Sequence, residues 1–546
     1  MIEVEVHSSL RAFLREQENR SWPHHLTMAR LVARALRLGR SALIQTGISS
    51  HGTGKYRLSY LAPALLWRKP VILVAPESVQ QRLLEVEIPQ LQQWMGTEKA
   101  ILTGDAWPNA DFQGLLLISP EVWLADRLKG LGRIPFGIPT IFDGADDLEE
   151  WARDQLTAGL RPSDWDDLML AFPRKIKAIR DARVQLTKAV FQHPANPYEC
   201  CLISPAEQDI LRRLYAVLEN AIGVENRENL VETRLIPSGE GERGRGGEYP
   251  SSPTLSPNLP LAWRIFWHRL QAEDQLMWAE IARSQGQFSL YCGPVEVATA
   301  LEKIWHHEPV VLIGAALDLE TEAIAYRQRV GLGNLTCLKF SPDRQNELIQ
   351  LYLPDRLPMP NTPQFQGVLI QEVQMLVETM DRSLAENPDI QRLAVILVED
   401  TPLKAQVASV MAAEFGSRVQ VEKTSLSNNG ILVTGWEFWR HHQEVLPAPQ
   451  LLVMATLPIP SLENPLVAGR VTHYKEQRKD WFRLYLLPVA LSELQRAIAP
   501  VRECRGVVAL LDGRVNNRSY GSQVLEALSP LARINYLDSN WFTSDR

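Results

Sequence analysis

Cysteine is scarce in this sequence, and the few that occur are not spaced for metal or disulfide chemistry. The 546 residues include Cys200, Cys201, Cys292, Cys337 and Cys504, and no two of them form a CxxC pair. Neither a zinc knuckle nor a disulfide framework is expected from this spacing. The default compartment for such a chain is a reducing cytoplasm.

Long apolar runs and an excess of positive charge are also lacking. No run approaches the roughly 18 apolar residues of a membrane span, and the first 20 residues are charged along their length, unlike a signal peptide. Lys and Arg number 57 against 64 Asp and Glu, which gives a net charge of −7. We therefore expect no membrane partner, and any site for a polyanion must be a local patch.

The remaining composition is that of a folded protein with several domains. Apolar residues make up 45% and charged residues 22% of the 546, a length well beyond roughly 100–200 residues per domain. Short apolar runs alternate with amphipathic stretches from 20 to 150, and a second such series runs from 307 to 514. This alternation is typical of parallel α/β sheets, whose ligands lie at the carboxyl ends of the strands. The sequence therefore predicts two α/β domains.

Between the two series the pattern becomes helical. Long amphipathic stretches fill 150–235, a segment rich in Gly, Pro and Ser at 236–260 predicts a disordered loop, and a Trp-rich helix is predicted at 261–285. The predicted bounds are 1–160 and 286–335 for the two parts of the first α/β domain, 161–285 for the helical insertion and 336–546 for the second α/β domain.

A glycine loop with a lysine follows the first predicted strand. The apolar run 41–47 leads into Gly52, Thr53, Gly54 and Lys55, and a predicted helix comes next. Strand, glycine loop, lysine and helix is the order of a phosphate-binding loop, in which backbone N–H groups, an ammonium and the helix dipole all face phosphate. These four residues are candidates for nucleotide binding; the alternative is a glycine turn in an ordinary βα unit.

Taken in order, several segments of the chain resemble the superfamily 2 DNA helicases of the DinG/XPD type. They include WPHHLTMARLVARAL, SALIQTG with GTGK, IFDGADDLEE, FSLYCGPVEVATALEKIW, GWEFW, LPIPSLENPLVAGR and LQRAIAPVRECRGVVALLDGR. The resemblance covers nearly the whole chain. It implies two RecA-like (P-loop NTPase/helicase) domains with a helical arch-like insertion in the first, ATP in the cleft between them, single-stranded or branched DNA across them, and a role in DNA repair.

The same resemblance implies that the nucleotide motifs of this chain are eroded. Tyr56 stands where the family has the Thr or Ser that binds Mg²⁺, and Gly144 stands where it has the general-base Glu. Asp143 is retained and is a candidate to hold a metal through its water shell. We therefore expect ATP and Mg²⁺ to bind weakly at best, and hydrolysis to be slow or absent.

Other family motifs also depart from their pattern. In the last motif Gln495 and Arg502 are retained, which makes Gln495 a nucleotide-binding candidate and Arg502 the remaining arginine finger, while Ala499 replaces the inner arginine. The coupling motif Ser-Ala-Thr is replaced by 314–316, Gly-Ala-Ala, and His25 replaces the Gln that reads adenine. The segment 95–114 has no cysteines, so no iron–sulfur cluster is expected.

Basic residues recur at near-helical spacing in the predicted insertion. They are Arg174, Lys175, Lys177, Arg180, Arg183 and Lys188. Lys177, Arg180 and Arg183 are the candidates to neutralise nucleic-acid phosphates, with a solvated helix face as the alternative. The aromatic residues Trp263, Phe266, Trp267 and Trp278 have the spacing of a core-facing stripe, and we favour that over base stacking. Adjacent histidine pairs do not predict a metal site.

Three functions remain open on the sequence alone. The first is a pseudoenzyme that binds nucleic acid, binds ATP weakly and hydrolyses it weakly or not at all. Its helicase scaffold could also serve as a platform for a protein partner. The second is an active ATP-dependent DNA helicase in which Asp146 or Asp147 replaces the missing Glu. The third is a protein-interaction scaffold that binds neither ATP nor nucleic acid. Losses at several motor positions weigh against the second, and the acidic net charge favours the third over the first.

Overall fold

A computed structural model describes residues 2–16, 22–47, 54–232, 259–341, 348–383, 392–427, 429–443, 445–538 and 542. Gly52 and Thr53 lie outside the described residues, as does the predicted loop 236–260 apart from its last two residues. The chain forms two compact units. The first comprises Met1–Gln155, Val297–Pro460 and Asp480–Arg546, and the second comprises Leu156–Glu296 and Ser461–Lys479.

The strands of the described chain are β1 (Ala42–Gln45), β2 (Val71–Val74), β3 (Ile101–Thr103), β4 (Leu115–Ile118), β5 (Thr140–Asp143), β6 (Ala158–Leu160), β7 (Cys200–Leu202), β8 (Gln275–Ala282), β9 (Gln287–Pro294), β10 (Val310–Gly314), β11 (Thr336–Lys339), β12 (Ile349–Tyr352), β13 (Ala394–Leu397), β14 (Val419–Val421), β15 (Ile431–Thr434), β16 (Leu451–Met454), β17 (Val507–Leu510) and β18 (Leu531–Ile534).

The α-helices of the described chain are α1 (Ile2–Glu16), α2 (His25–Leu38), α3 (Leu58–Leu66), α4 (Glu77–Arg82), α5 (Ile88–Met95), α6 (Pro120–Lys129), α7 (Leu148–Leu156), α8 (Asp164–Ala171), α9 (Ile176–Gln192), α10 (Pro205–Glu232), α11 (Leu261–Leu270), α12 (Ala298–Trp305), α13 (Ile324–Arg329), α14 (Phe365–Ser383), α15 (Thr401–Phe415), α16 (Trp436–His442), α17 (Pro465–Glu476), α18 (Leu487–Ala497), α19 (Ala499–Cys504), α20 (Arg514–Asn517) and α21 (Gly521–Ala527). Short 3₁₀ turns at Lys55–Arg57 and Ala145–Asp147 precede α3 and α7.

A parallel sheet forms the centre of the first lobe of the first unit. Among the described residues its strand order is β11-β1-β10-β5-β2-β4-β3, and every pairing is parallel. Its central strands are short apolar runs that are buried along their whole length, as expected where helices cover both faces of a sheet. The carboxyl ends of β1, β5 and β10 therefore bring their following loops to one edge of the sheet.

A second parallel sheet forms the second lobe of the same unit. Its order within the described chain is β14-β15-β13-β16-β17-β12-β18, and its pairings are parallel throughout. The predicted pair of RecA-like α/β domains is thus confirmed. The predicted boundary at 335/336 lies too early, because β11 adds to the first sheet beside β1.

The second unit is less helical than the sequence predicted. An antiparallel sheet of order β6-β9-β8-β7 lies within it. The helix expected over 261–285 ends at Leu270, and strand β8 follows. Burial alternates along β8 at Met277, Ala279 and Ile281, which is the two-residue period of a strand with one buried face. Strand β9 pairs with β8, so the chain returns to the first unit at Val297 rather than at 286.

Aromatic side chains form much of the core of the second unit. Trp263, Phe266 and Trp267 of α11 are buried there, which confirms the core assignment for these three residues. Trp278 is half-buried and stacks on Tyr291 with ring centroids 5.5 Å apart. The burial of the α11 stripe also explains its spacing of three and four residues.

Helix α17 belongs to this unit although it follows β16 in the chain. Gly469 lies close to β7 and β8, where a Cβ atom would come within 2.9 Å of the Leu276 side chain and 3.2 Å of Leu202. Val467 and Val471 of the same helix are buried. Within the described residues no helix is long and apolar enough to cross a membrane.

Candidate nucleotide site and the cleft between the lobes

A strand, a lysine and a helix lie in the predicted order around the carboxyl end of β1. After the undescribed residues 48–53, Gly54 adopts a φ of 54°, and the 3₁₀ turn Lys55–Arg57 leads into α3. Lys55 is exposed, whereas Tyr56 and Arg57 are buried. A Cβ atom on Gly54 would lie 2.5 Å from Cζ of Arg57. The glycine therefore leaves room for the Arg57 guanidinium beside the backbone of Gly54.

Asp143 lies at the end of β5 and is fully buried. Its Oδ1 accepts a hydrogen bond from the phenol of Tyr56 at 2.5 Å, and its Oδ2 accepts one from the phenol of Tyr60 at 2.7 Å. Nε of Arg57 lies 3.4 Å from the same Oδ2. Burial, and then the nearby Asp143 carboxylate, raise the pKa of both phenols. The two tyrosines therefore stay protonated and donate to the carboxylate.

These residues do not fit a Mg²⁺ ion. Mg²⁺ requires oxygen ligands in nearly octahedral geometry and usually keeps several waters. Both oxygens of Asp143 accept hydrogen bonds from phenols, and the Arg57 guanidinium supplies a positive charge beside them. The hydroxyl of Tyr56, at the position of the family's metal ligand, is committed to the same carboxylate. Asp143, predicted as a metal-holding residue, is thus the acceptor at the centre of a buried cluster of protein groups.

The region of His25 is filled by aromatic side chains. His25 is buried, with Nδ1 at 2.9 Å from the Ser59 hydroxyl. The ring of Trp22 meets those of His25 and Phe340 edge to face at centroid distances of 5.3 and 5.1 Å. His24 stacks on Phe340 at 4.8 Å. The position that reads adenine in the family is thus part of an internal aromatic cluster here.

Asp146 fixes the backbone of the altered coupling motif. Its Oδ2 accepts from the N–H of Ala315 at 2.8 Å, and its Oδ1 accepts from the N–H of Ala316 at 2.9 Å. A Cβ atom on Gly314 would lie 2.8 Å from the same carboxylate, so glycine allows this close approach. Both oxygens of Asp146 are therefore used to hold β10 and the residues that follow it.

Arg502 is engaged within the second lobe. Its guanidinium donates to the backbone carbonyls of Leu528, Ser529 and Pro530 at 2.7, 2.9 and 3.2 Å. This geometry holds the chain before β18 and commits donors that an arginine finger would direct at a phosphate. Gln495 lines the cleft between the two lobes, together with Lys339 and Phe340 of the first lobe. The cavity there is about 170 Å³, smaller than the roughly 300–1,000 Å³ of most ligand pockets.

Charged pairs cross this cleft, and the sequence did not predict them. Arg496 of the second lobe donates from Nη1 and Nη2 to the two oxygens of Asp147 at 2.7 and 3.1 Å. Arg440 reaches Glu150 at 3.1 Å and Glu493 at 3.7 Å. The signal available in the sequence was Arg496 itself, a cation next to Gln495, but its partner lies 349 residues away.

The predicted basic stripe lies largely on α9 in the second unit. Lys177 and Arg180 are exposed, and Arg183 pairs with Asp166 at 3.0 Å. The opposite face of the helix carries buried apolar residues, including Ile179 and Leu186. Helix α9 therefore presents a largely cationic face to solvent, although Arg183 pairs with Asp166 and the exposed Asp181 lies one helical turn from Lys177. Within the part of the chain that the structure describes, no cluster of three His, Cys, Asp or Glu side chains is arranged to hold a metal ion.

Comparison with known proteins identifies relatives among helicases. No protein-family model matches the chain. The curated "ATP-dependent DNA helicase YoaA" of Haemophilus influenzae is 24% identical over 258 residues, which is 45% of this chain and 40% of that protein. The protein of the same name in Escherichia coli is 22% identical over 265 residues, again 45% of this chain and 40% of the relative. The chain thus matches less than half the length of these curated relatives.

Solved structures show the same relationship at the level of the fold. An apo XPD structure superposes with a TM-score of 0.56 at 11% identity, covering 93% of this chain and 100% of the other. A second XPD helicase structure gives a TM-score of 0.54 at 10% identity, covering 93% of this chain and 99% of the other. From the helicase relatives and this shared fold, with its two RecA-like lobes, the chain is related to the DinG/XPD-type superfamily 2 helicases.

Proposed function

We propose that this chain is a helicase-fold protein that binds nucleic acid and hydrolyses ATP weakly or not at all. The observation that carries the proposal is the burial of Asp143 among Tyr56, Arg57 and Tyr60. Phosphoryl transfer in this class of fold depends on metal ions that neutralise charge on the phosphates. A carboxylate saturated by phenols and a guanidinium cannot organise such an ion.

The other groups around the cleft support the same conclusion. Gly144 carries no carboxylate to orient an attacking water. The two nearby candidates to replace it are engaged: Asp146 holds the backbone of Ala315 and Ala316, and Asp147 pairs with Arg496. Several charged groups would have to be released together before they could act on a phosphoryl group, which disfavours an active helicase with a relocated base.

Nucleic-acid binding is proposed from the helicase relationship and from the exposed cationic face of α9. Single-stranded DNA affinity should fall steeply with salt, with a log–log slope near −0.7 for each phosphate neutralised. In the variant Lys177→Glu/Arg180→Glu/Arg183→Glu, the affinity for single-stranded DNA should fall. The log–log slope should become shallower by about 2, the change expected when three phosphate contacts are lost. Fluorescence anisotropy of a labelled oligonucleotide over a salt series measures both quantities.

A matched control separates this face from general charge effects. Arg212 and Arg213 are exposed on α10 of the same unit, so Arg212→Glu/Arg213→Glu reverses two charges elsewhere, against three in the α9 variant. That variant should retain wild-type affinity. If the triple variant binds as tightly as wild type, α9 is a solvated face. If wild type itself does not bind nucleic acid, the scaffold function replaces the one proposed.

The remaining nucleotide affinity is expected to be small. We propose that Lys55, Gly52, Gly54 and Gln495 leave a weak attraction for ATP, with a dissociation constant nearer millimolar than micromolar. The folding stabilisation should then stay below roughly 1.5 kcal/mol at ligand ten times Kd. Thermal unfolding with and without ATP and Mg²⁺ measures this, and Lys55→Ala should abolish the shift. A large increase in unfolding temperature at micromolar ATP would contradict the proposal. If ATP does not change the unfolding temperature of the wild type or of Lys55→Ala, the pocket no longer binds nucleotide.

A further inference from the structure

One charged contact across the cleft is specific in geometry and largely shielded from water. Arg496 and Asp147 form a two-pronged pair, and their side chains are only 7% and 15% exposed. The planar guanidinium matches the planar carboxylate, which is the stronger of the arginine–carboxylate geometries. Shielding from solvent also reduces screening by salt. This pair therefore constrains the distance and the orientation of the two lobes.

Further contacts reinforce the same arrangement. Arg440 on α16 lies between Glu150 of the first lobe and Glu493 of its own lobe. Glu493 also lies 3.9 Å from Arg496. The hydroxyl of Ser492 donates to the carbonyl of Ala316 across the cleft at 2.9 Å. Helix α18 thus contacts both the turn after β5 and the residues after β10.

In a motor of this fold, cations that cross the cleft act on the phosphates of a bound nucleotide. Here the crossing cation meets a carboxylate of the chain itself. We infer that the two lobes hold their closed arrangement without nucleotide, and that the Asp147 carboxylate is the anion on which Arg496 closes. Opening the cleft would break this pair, the Arg440–Glu150 pair and the Ser492–Ala316 hydrogen bond together, so several contacts hold the closed arrangement at once. A nucleotide that binds the open and the closed arrangement with equal affinity cannot shift the equilibrium between them.

Distance measurements between the lobes test the inference. Glu98 of the first lobe and Ala413 of the second are exposed, so genetically encoded keto residues at both positions can carry spin labels without using the native cysteines. Pulsed electron–electron double resonance should give one narrow distribution of distances between the two labels in the wild type. A non-hydrolysable ATP analogue with Mg²⁺ should leave that distribution unchanged. Arg496→Ala should increase the open population about tenfold or more, seen as a longer, broader distribution.

Two further variants keep the test decisive. Arg418 forms a similar two-pronged pair with Asp381 inside the second lobe, at 2.7 and 2.9 Å, so Arg418→Ala should leave the distances unchanged. Arg496→Lys keeps a cation facing Asp147 and Glu493 and should retain more of the narrow distribution than Arg496→Ala, which general destabilisation would not explain. A broad wild-type distribution that narrows with the ATP analogue would overturn the inference, and so would an Arg496→Ala protein with wild-type distances. Neither result bears on ATP turnover or nucleic-acid affinity.

Discussion

The purified protein should hydrolyse ATP at least about a hundredfold more slowly than an intact helicase of this fold when single-stranded DNA is added. A missing general base alone removes typically 10²- to 10⁴-fold of rate, and Gly144 leaves that position without a carboxylate. The engagement of Asp143 by Tyr56 and Tyr60 removes the metal-organising group as well. A phosphate-release assay at saturating DNA measures the rate.

The control for this prediction is Lys55→Ala. Any residual turnover at this site needs the weak ATP binding that Lys55 supports, so Lys55→Ala should give a rate no higher than the low rate of the wild type. Turnover of about 1 to 10 per second that is lost in Lys55→Ala lies in the ordinary range of enzyme rates. That result would contradict the proposed function and would favour an active helicase in which Asp146 or Asp147 has become the base.

Replacing Asp143 by alanine should destabilise the fold by about 3–5 kcal/mol, the usual cost of removing one partner from a buried ion pair. Arg57 is 2% exposed and would lose the carboxylate that balances its charge. Tyr56 and Tyr60 would lose the acceptor of their phenol hydrogen bonds. An aspartate whose role is to hold a metal from solvent would not contribute so much to stability. Urea unfolding followed by fluorescence gives the change in the free energy of unfolding.

Two comparisons make the stability measurement specific. Asp105 is 74% exposed and lies 3.7 Å from Arg133, so Asp105→Ala should change stability by less than about 1 kcal/mol. The double variant Arg57→Met/Asp143→Met should recover the part of the loss that comes from the unpaired Arg57 charge, since an apolar pair can replace a buried ion pair. A loss below about 1 kcal/mol in Asp143→Ala would show that the cluster is not a structural core.

Much of the first lobe could be predicted from local patterns, but the cluster on Asp143 could not. The apolar runs that became β1, β5 and β10 have the continuous burial of strands inside a parallel sheet, and their order gives the position of the loops. Tyr60 is 83 residues from Asp143, and Arg57 is 86 residues away. A sequence motif assigns Asp143 a family role, and only the structure shows that side chains from the turn Lys55–Arg57 and from α3 reach it.

The insertion shows how a helical pattern can mask a strand. Trp263, Phe266 and Trp267 have helical spacing, and the prediction extended this helix through Trp278. Residues 277, 279 and 281 of β8 are buried, and the residues between them are more exposed. A run this short does not distinguish a strand from a helix by its sequence pattern. The antiparallel partners β7 and β9 fix the choice, since each supplies hydrogen bonds to one edge of β8.

Helix α17 has a consequence for the order in which the protein is made. The second unit needs residues 461–479 to complete its packing against β7 and β8, yet more than 150 residues separate them from Glu296. A nascent chain emerging at roughly 5–20 residues per second must therefore carry this unit unfinished while most of the second lobe is still being translated. Contacts between such distant segments slow folding. Until Val467 and Val471 have been synthesised, the surface that they cover stays exposed to solvent.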